Sequence, residues 1–206
     1  MAVGMRLGMN ICAPRLCRCG AQVDACGIRS LVCKQAPGTG ARHHVLNDVV
    51  ARAFALAGFP VLKEPAGLSC VDGKRPNGMT LIPWKAGKLV VWDVTIICTY
   101  TDSYVEALAR ESGAAAELAA TRKEAKYSNL PSQYTFYPIA IETHGPLNET
   151  ALDILCELDR HITAWSGDDR EGFLLFQRFS VCMRRFNAVS CTTVFPWINR
   201  TDGHFS

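Results

Sequence analysis

Apolar and polar positions change period several times along the chain. From residue 42 the run RHHVLNDVVARAFALAGF repeats apolar residues at helical spacing. Val45, Val49, Ala53 and Ala57 form one line, Leu46, Val50 and Phe54 broaden it, and Gly58 suits the end. FPVLKE then reads as a short strand, and two more strands, about 74–82 and 88–98, flank PWKAG. In the second of these, Val90, Trp92, Val94 and Ile96 alternate onto one wholly apolar face. Ser103 and Glu106 form a capping box ahead of ALARESGAAAELAATRKEAKY, a long helical segment with a kink or break at Ser112-Gly113 and a stop before Pro131. QYTFYPIAIET is a further strand, and Pro138 puts it near an edge or a bulge. Two helices follow: one after Asn148 (Ala151, Ile154, Leu155, Leu158, Ile162), one after Asp168-Asp169 (Phe173, Leu174, Phe176, Val181).

From residue 43 to 143 the order is therefore helix, strand, strand, strand, helix, strand. That order predicts an α/β fold, a small mixed sheet flanked by helices. Residues 1–40, rich in Cys, Gly and Pro and without a sustained period, form a loop-rich module ahead of a core at 41–145 and a helical extension at 146–206. A hydrophobic content of 49% over 206 residues supports a real core. The net charge of +3 neither demands nor excludes a polyanionic partner, so any nucleic-acid contact must come from local basic clusters. No apolar run approaches the roughly 18 residues of a membrane span, and Arg6 interrupts the N-terminal stretch. The expected location is nuclear or cytoplasmic, with no membrane partner and no secretion.

Asp93 lies inside the apolar strand, and apolar residues continue past it at Val94, Ile96 and Ile97. An ionised carboxylate there needs a partner. Asn77 stands eight residues before Lys85 and Asp93 eight after it, so a hairpin centred on PWKAG sets the two face to face. Their Cβ atoms are then about 4.5–5.5 Å apart, and Arg75 opposes Thr95.

Ten cysteines occur, five of them between residues 12 and 33. Without a secretory signal such a cluster favours a metal over disulfides. Cys17, Cys19, Cys33 and His43 are the preferred tetrahedral zinc set, with Cys26 a substitute ligand. Cys98, Cys156, Cys182 and Cys191 lie on apolar periodic segments and read as small core residues. Arg15, Arg18, Arg29 and Lys34 near the cysteines, Lys74 and Arg75 at the hairpin, Arg122, Lys123 and Lys126 on the long helix, and Arg178, Arg184 and Arg185 on the last helix are candidate phosphate contacts.

RPNG, LVVWDVT and KEAKY, in this αβββαβ order, resemble the PD-(D/E)XK restriction-like nuclease superfamily. The closer likeness is to the endonuclease domain carried C-terminally by site-specific non-LTR retrotransposons, and it spans roughly residues 17–145. The resemblance implies a DNA endonuclease in which paired acids hold Mg²⁺ or Mn²⁺, and the ion activates water at the scissile phosphate. It gives Asp93 the second-acid position, and it gives Lys123, with Lys126 three residues on, the lysine that has moved to the following helix. It also implies an N-terminal Cys/His zinc knuckle and a reverse-transcriptase region elsewhere in a larger polypeptide.

Two departures stand out. Pro76-Asn77 occupies the place of the family's Pro-Asp, so the site loses one charge and should hold Mg²⁺ more weakly; Asp72 and Asp48 are nearby but off the motif. Arg29 stands where the knuckles usually have a histidine. Rival expectations are a catalytically inactive nucleic-acid-binding module and a zinc-stapled protein-interaction domain.

Overall fold

A computed structural model describes residues 7–10, 12–17, 19–33, 35, 38–68, 73–101, 103–104, 111–168 and 170–192. A two-residue hairpin, β1 (Arg15–Leu16) and β2 (Gln22–Val23), precedes a one-turn helix, α1 (Arg29–Val32). Then come α2 (Thr39–Leu56), β3 (Val61–Lys63), β4 (Gly78–Thr80), β5 (Leu89–Ile97), α3 (Ala114–Lys126) and β6 (Tyr134–Glu142). The long helices α4 (Glu149–Ser166) and α5 (Arg170–Thr192) follow.

The main sheet runs β3-β4-β5-β6, antiparallel except for the parallel β5–β6 pair. The fold is thus mixed α/β with a four-stranded mixed sheet flanked by helices. The α3 crossover supplies the connection that parallel β5 and β6 need. β6 lies at the sheet edge, where Pro138 removes no ladder donor that the sheet requires.

Alternation along β5 divides the core in two. Val90, Trp92, Val94 and Ile96 pack with Ile139 and Ile141 of β6 against Leu46, Val50 and Phe54 of α2. Ile154, Leu155 and Leu158 of α4 and Leu175, Phe179 and Met183 of α5 join the same cluster. The last two helices therefore share one core with the sheet. On the other face, Ile97 and Ala140 meet Ala115, Ala116, Ala119 and Ala120 of α3.

Gly78 pairs with Trp92 and Met79 with Val91, a register centred on Lys85, which by extension sets Asn77 opposite Asp93. The ladder itself is short. Its two ends are continued by side chains: Val90 N–H donates to Thr80 Oγ1 (3.0 Å) and Val94 N–H to Asn77 Oδ1 (2.6 Å). Strand β4 is consequently shorter than the expected 74–82, and Arg75 and Thr95 do not form a ladder pair. The helix break expected at Ser112-Gly113 is the start of α3, with Gly113 at φ 92°. The proposed capping partner Glu106 falls outside the described residues. Cys156 is exposed on α4 and not a core residue; Cys98 and Cys182 are half-buried, and the Cys191 side chain is outside the description.

A Cβ on Gly78 would lie 2.1 Å from the Trp92 indole, which stacks on Phe54 with ring centres 4.9 Å apart. Neither ring can retreat. Gly78→Ala is expected to cost about 3 kcal/mol, read as a lower denaturation midpoint; an unchanged midpoint would contradict this packing.

Candidate functional site

The alanine stripe of α3 brings a helix close to the sheet, because small side chains keep the axes near. Lys123 is the next position on that stripe, four residues after Ala119 and three after Ala120. Its Nζ donates to Asp93 Oδ2 at 2.6 Å. The side chains are 26% and 6% exposed, so the carboxylate is buried and the ammonium reaches it from the rim. Thr95 lies two residues along the same face of β5, and its buried hydroxyl has no protein partner.

A second carboxylate fixes α3. Glu142, buried at the end of β6, accepts from Ala115 N–H (3.1 Å) and Ala116 N–H (3.3 Å) through Oε1. Gly113 at the N-cap offers no side chain, so Glu142 satisfies the first turn and places its negative charge at the positive helix end. Nothing local in the sequence marks this role; the one signal is an acidic residue closing an apolar strand.

Asn77 is buried and lies beside Asp93 without bonding to it. Its N–H donates to Trp92 C=O (2.9 Å) and its Oδ1 accepts from Val94 N–H, so it straddles Asp93 along the strand. Its own carbonyl accepts from Asn47 Nδ2 (3.2 Å), while Asn47 Oδ1 accepts from Trp92 Nε1 (2.8 Å). Asn47, absent from the sequence expectations, thus links α2 to both strands.

His43 also serves β5. Its Nε2 is 3.1 Å from Val94 C=O. A carbonyl only accepts, so Nε2 carries the proton in this contact. Where β4 has ended, Asn77 and His43 complete the hydrogen bonds of Val94. His43, expected as a zinc ligand, is carried by α2 to the sheet and is not part of the metal-capable group described next.

The metal-capable group among the described residues is Cys17, Cys19 and Cys33, whose sulfurs all lie within 4.8 Å of one another. The β1–β2 turn holds the first two, and α1 leads into the third. Cys26 is directed to Gly8 C=O (3.5 Å), outside the trio. Arg29 Nη2 donates to Cys19 Sγ at 3.1 Å, and this guanidinium lowers the Cys19 thiol from 9.0 to about 6. Burial instead pushes the Cys33 thiol up.

The remaining expected residues are dispersed. Lys126 lies over the Tyr127 ring, 5.2 Å from its centre. Arg122, exposed beside Lys123, donates to Tyr104 Oη at 3.0 Å. Lys74 and Arg75 are exposed in the segment leading to Asn77, and Arg178, Arg184 and Arg185 are exposed on α5. Asp48 pairs with Lys63. Asp72, Arg18 and Lys34 fall outside the described residues, as does the Arg15 side chain. Among the described residues no helix is long and apolar enough to cross a membrane.

No protein-family model matches the chain, and none of the curated proteins matches it.

Two predictions concern this region. Removing Lys123 strands a buried anion, so Lys123→Met should cost about 3 kcal/mol, and adding Asp93→Asn should recover much of that loss in a double-mutant cycle; strictly additive losses would contradict the pairing. The Cys19 thiolate is favoured by folding, so its contact with Arg29 persists at higher pH and is lost as pH falls through about 6. In metal-free protein, iodoacetamide labelling of Cys19 should accordingly rise through that pH, and Arg29→Ala should move the midpoint upward. A wild-type midpoint near 9.0, the ordinary thiol value, would contradict it.

Proposed function

We propose that the chain is a nucleic-acid-processing module of the restriction-like nuclease kind, acting on DNA phosphodiesters with Mg²⁺ or Mn²⁺. The observation that carries this reading is the Asp93–Lys123 contact, formed between residues 30 apart on β5 and α3. A strand carboxylate and a helix lysine meeting inside a helix-strand-strand-strand-helix-strand order are what the resemblance to retrotransposon endonuclease domains requires. In such a context a reverse-transcriptase region of the same polypeptide is the natural partner.

The residues fit a divalent ion in part. Asp93 offers hard oxygen ligands, and the unpartnered Thr95 hydroxyl beside it leaves a polar contact open. Mg²⁺ commonly binds through one or two carboxylates together with substrate phosphate oxygens, so one carboxylate implies an ion taken up with DNA. The ion would polarise the phosphate and generate a hydroxide nucleophile. Lys123 donates to Asp93 in the free protein and is placed to neutralise charge on a phosphate that approaches it. Lys74, Arg75 and Arg122 would contact the backbone on either side, without reading bases. Zn²⁺ on Cys17, Cys19 and Cys33 would staple a segment too small to hold its own core.

One observation favours a second reading, a DNA-binding module that has lost the chemistry. Asn77 Oδ1 is already committed to Val94 N–H. An aspartate there can accept the same bond through one oxygen and offer the other, charged, to a cation. An asparagine has an uncharged amide nitrogen in place of that second oxygen.

Plasmid nicking with Mg²⁺ or Mn²⁺ separates the two. Wild-type nicking abolished by Asp93→Ala supports the nuclease, with Asn77→Asp raising the rate roughly tenfold or more. Nicking by Asn77→Asp alone selects the inactive binding module. If no variant nicks and none binds DNA in a salt-dependent way, both readings fall.

A further inference from the structure

Three sulfurs converge in the N-terminal segment, and the fourth corner is the question. Zn–S bonds of about 2.3 Å at tetrahedral angles place sulfurs roughly 3.8 Å apart, a spacing the trio can adopt with little movement from its 4.8 Å envelope. Among the described residues no other His, Cys, Asp or Glu joins the trio within that envelope. His43 meets Val94 C=O, Cys26 Sγ meets Gly8 C=O, and Cys12, which packs beside the trio, directs its thiol to Asp24 C=O at 3.1 Å. The group that reaches the sulfurs is a cation, Arg29, whose Nε is buried without a hydrogen-bond partner. A guanidinium has no lone pair to give a metal.

Resting on the zinc reading above, we infer that this is a three-thiolate centre with an exchangeable fourth position, charge-balanced by Arg29. Three thiolates around a divalent ion leave one negative charge over, and Arg29 neutralises it while donating to Cys19 Sγ. The fourth ligand then comes from solvent: water, or a small Lewis base such as an imidazole or a thiol. Structural zinc sites are closed by four protein ligands, whereas sites with three keep a position open to exchange. Arg29 thus makes the centre capable of binding an outside ligand, and it acts as a positioning residue through Cys19.

Co²⁺ and imidazole test this on the full chain, prepared metal-free under reducing conditions. The wild type should take up one Co²⁺ with thiolate charge-transfer absorption, and added imidazole should shift the visible d–d bands. The Cys12→Ser/Cys26→Ser variant should behave as the wild type. Arg29→His should bind Co²⁺ at least tenfold more tightly with bands that no longer respond to imidazole. Arg29→Ala should weaken uptake about 10–100-fold, and Arg29→Lys should restore part of that loss. Co²⁺ uptake with bands indifferent to imidazole in the wild type, and altered by loss of Cys12 or Cys26, overturns the open position while leaving the zinc reading intact. Unaltered affinity in Arg29→Ala overturns the role of the guanidinium. No Co²⁺ uptake by the wild type removes the zinc reading itself.

Discussion

A carboxylate buried in the central strand must be neutralised, and the Asp93–Lys123 contact does this. Much of the surrounding architecture follows from it. The ammonium reaches the strand because α3 presents alanines to the sheet over two turns before Lys123, and a bulkier stripe would hold the helix axis too far away. The helix also has to start at the right place, which Glu142 secures by accepting two N–H groups of its first turn. Two acidic residues, one on each parallel strand, therefore fix the two ends of one helix. The flanking helices α2, α4 and α5 cover the opposite face and close the larger core.

The short length of β4 is the second constraint. Three residues of ladder cannot satisfy nine residues of β5, so Thr80, Asn77 and His43 side chains extend the pairing. This explains how an asparagine can occupy a position where the nuclease resemblance calls for an aspartate without disturbing the sheet. Either residue can accept the Val94 N–H; only the acid has a charged oxygen left over. Fold and chemistry are thereby separable at a single side chain. The cysteine segment shows a parallel case, since Arg29 contributes charge to Cys19 where the resemblance calls for a histidine and its lone pair.

Much of this was legible in the chain. Strict alternation through Val90, Trp92, Val94 and Ile96 identified the core face of β5, and the symmetry of positions 77 and 93 about Lys85 matched the register observed at Gly78–Trp92. The helical period located α2, α4 and α5. What remained hidden were contacts between elements far apart in sequence. Asn47 reaches the Asn77 carbonyl and Glu142 the Ala115 N–H across gaps of 30 and 27 residues, and such main-chain partners are revealed by no pattern of side chains. His43 misled for the same reason. Its distance from the cysteines along the chain looks suitable, but α2 is helical from Thr39 and carries it to β5. Glycine at position 78, inside an expected strand, likewise gives no sign of the Trp92 ring lying over it.

The claim that most needs a direct reading is that Asp93, with Lys123 beside it, receives a divalent ion when DNA is bound. Electron paramagnetic resonance counts free Mn²⁺ and so reports uptake without requiring cleavage. With a duplex carrying uncleavable phosphate linkages, wild-type protein should bind Mn²⁺ beyond what DNA and protein bind separately, and Asp93→Ala should lose that increment while still retaining DNA. An increment that survives Asp93→Ala, or none in either protein despite bound DNA, would contradict the account.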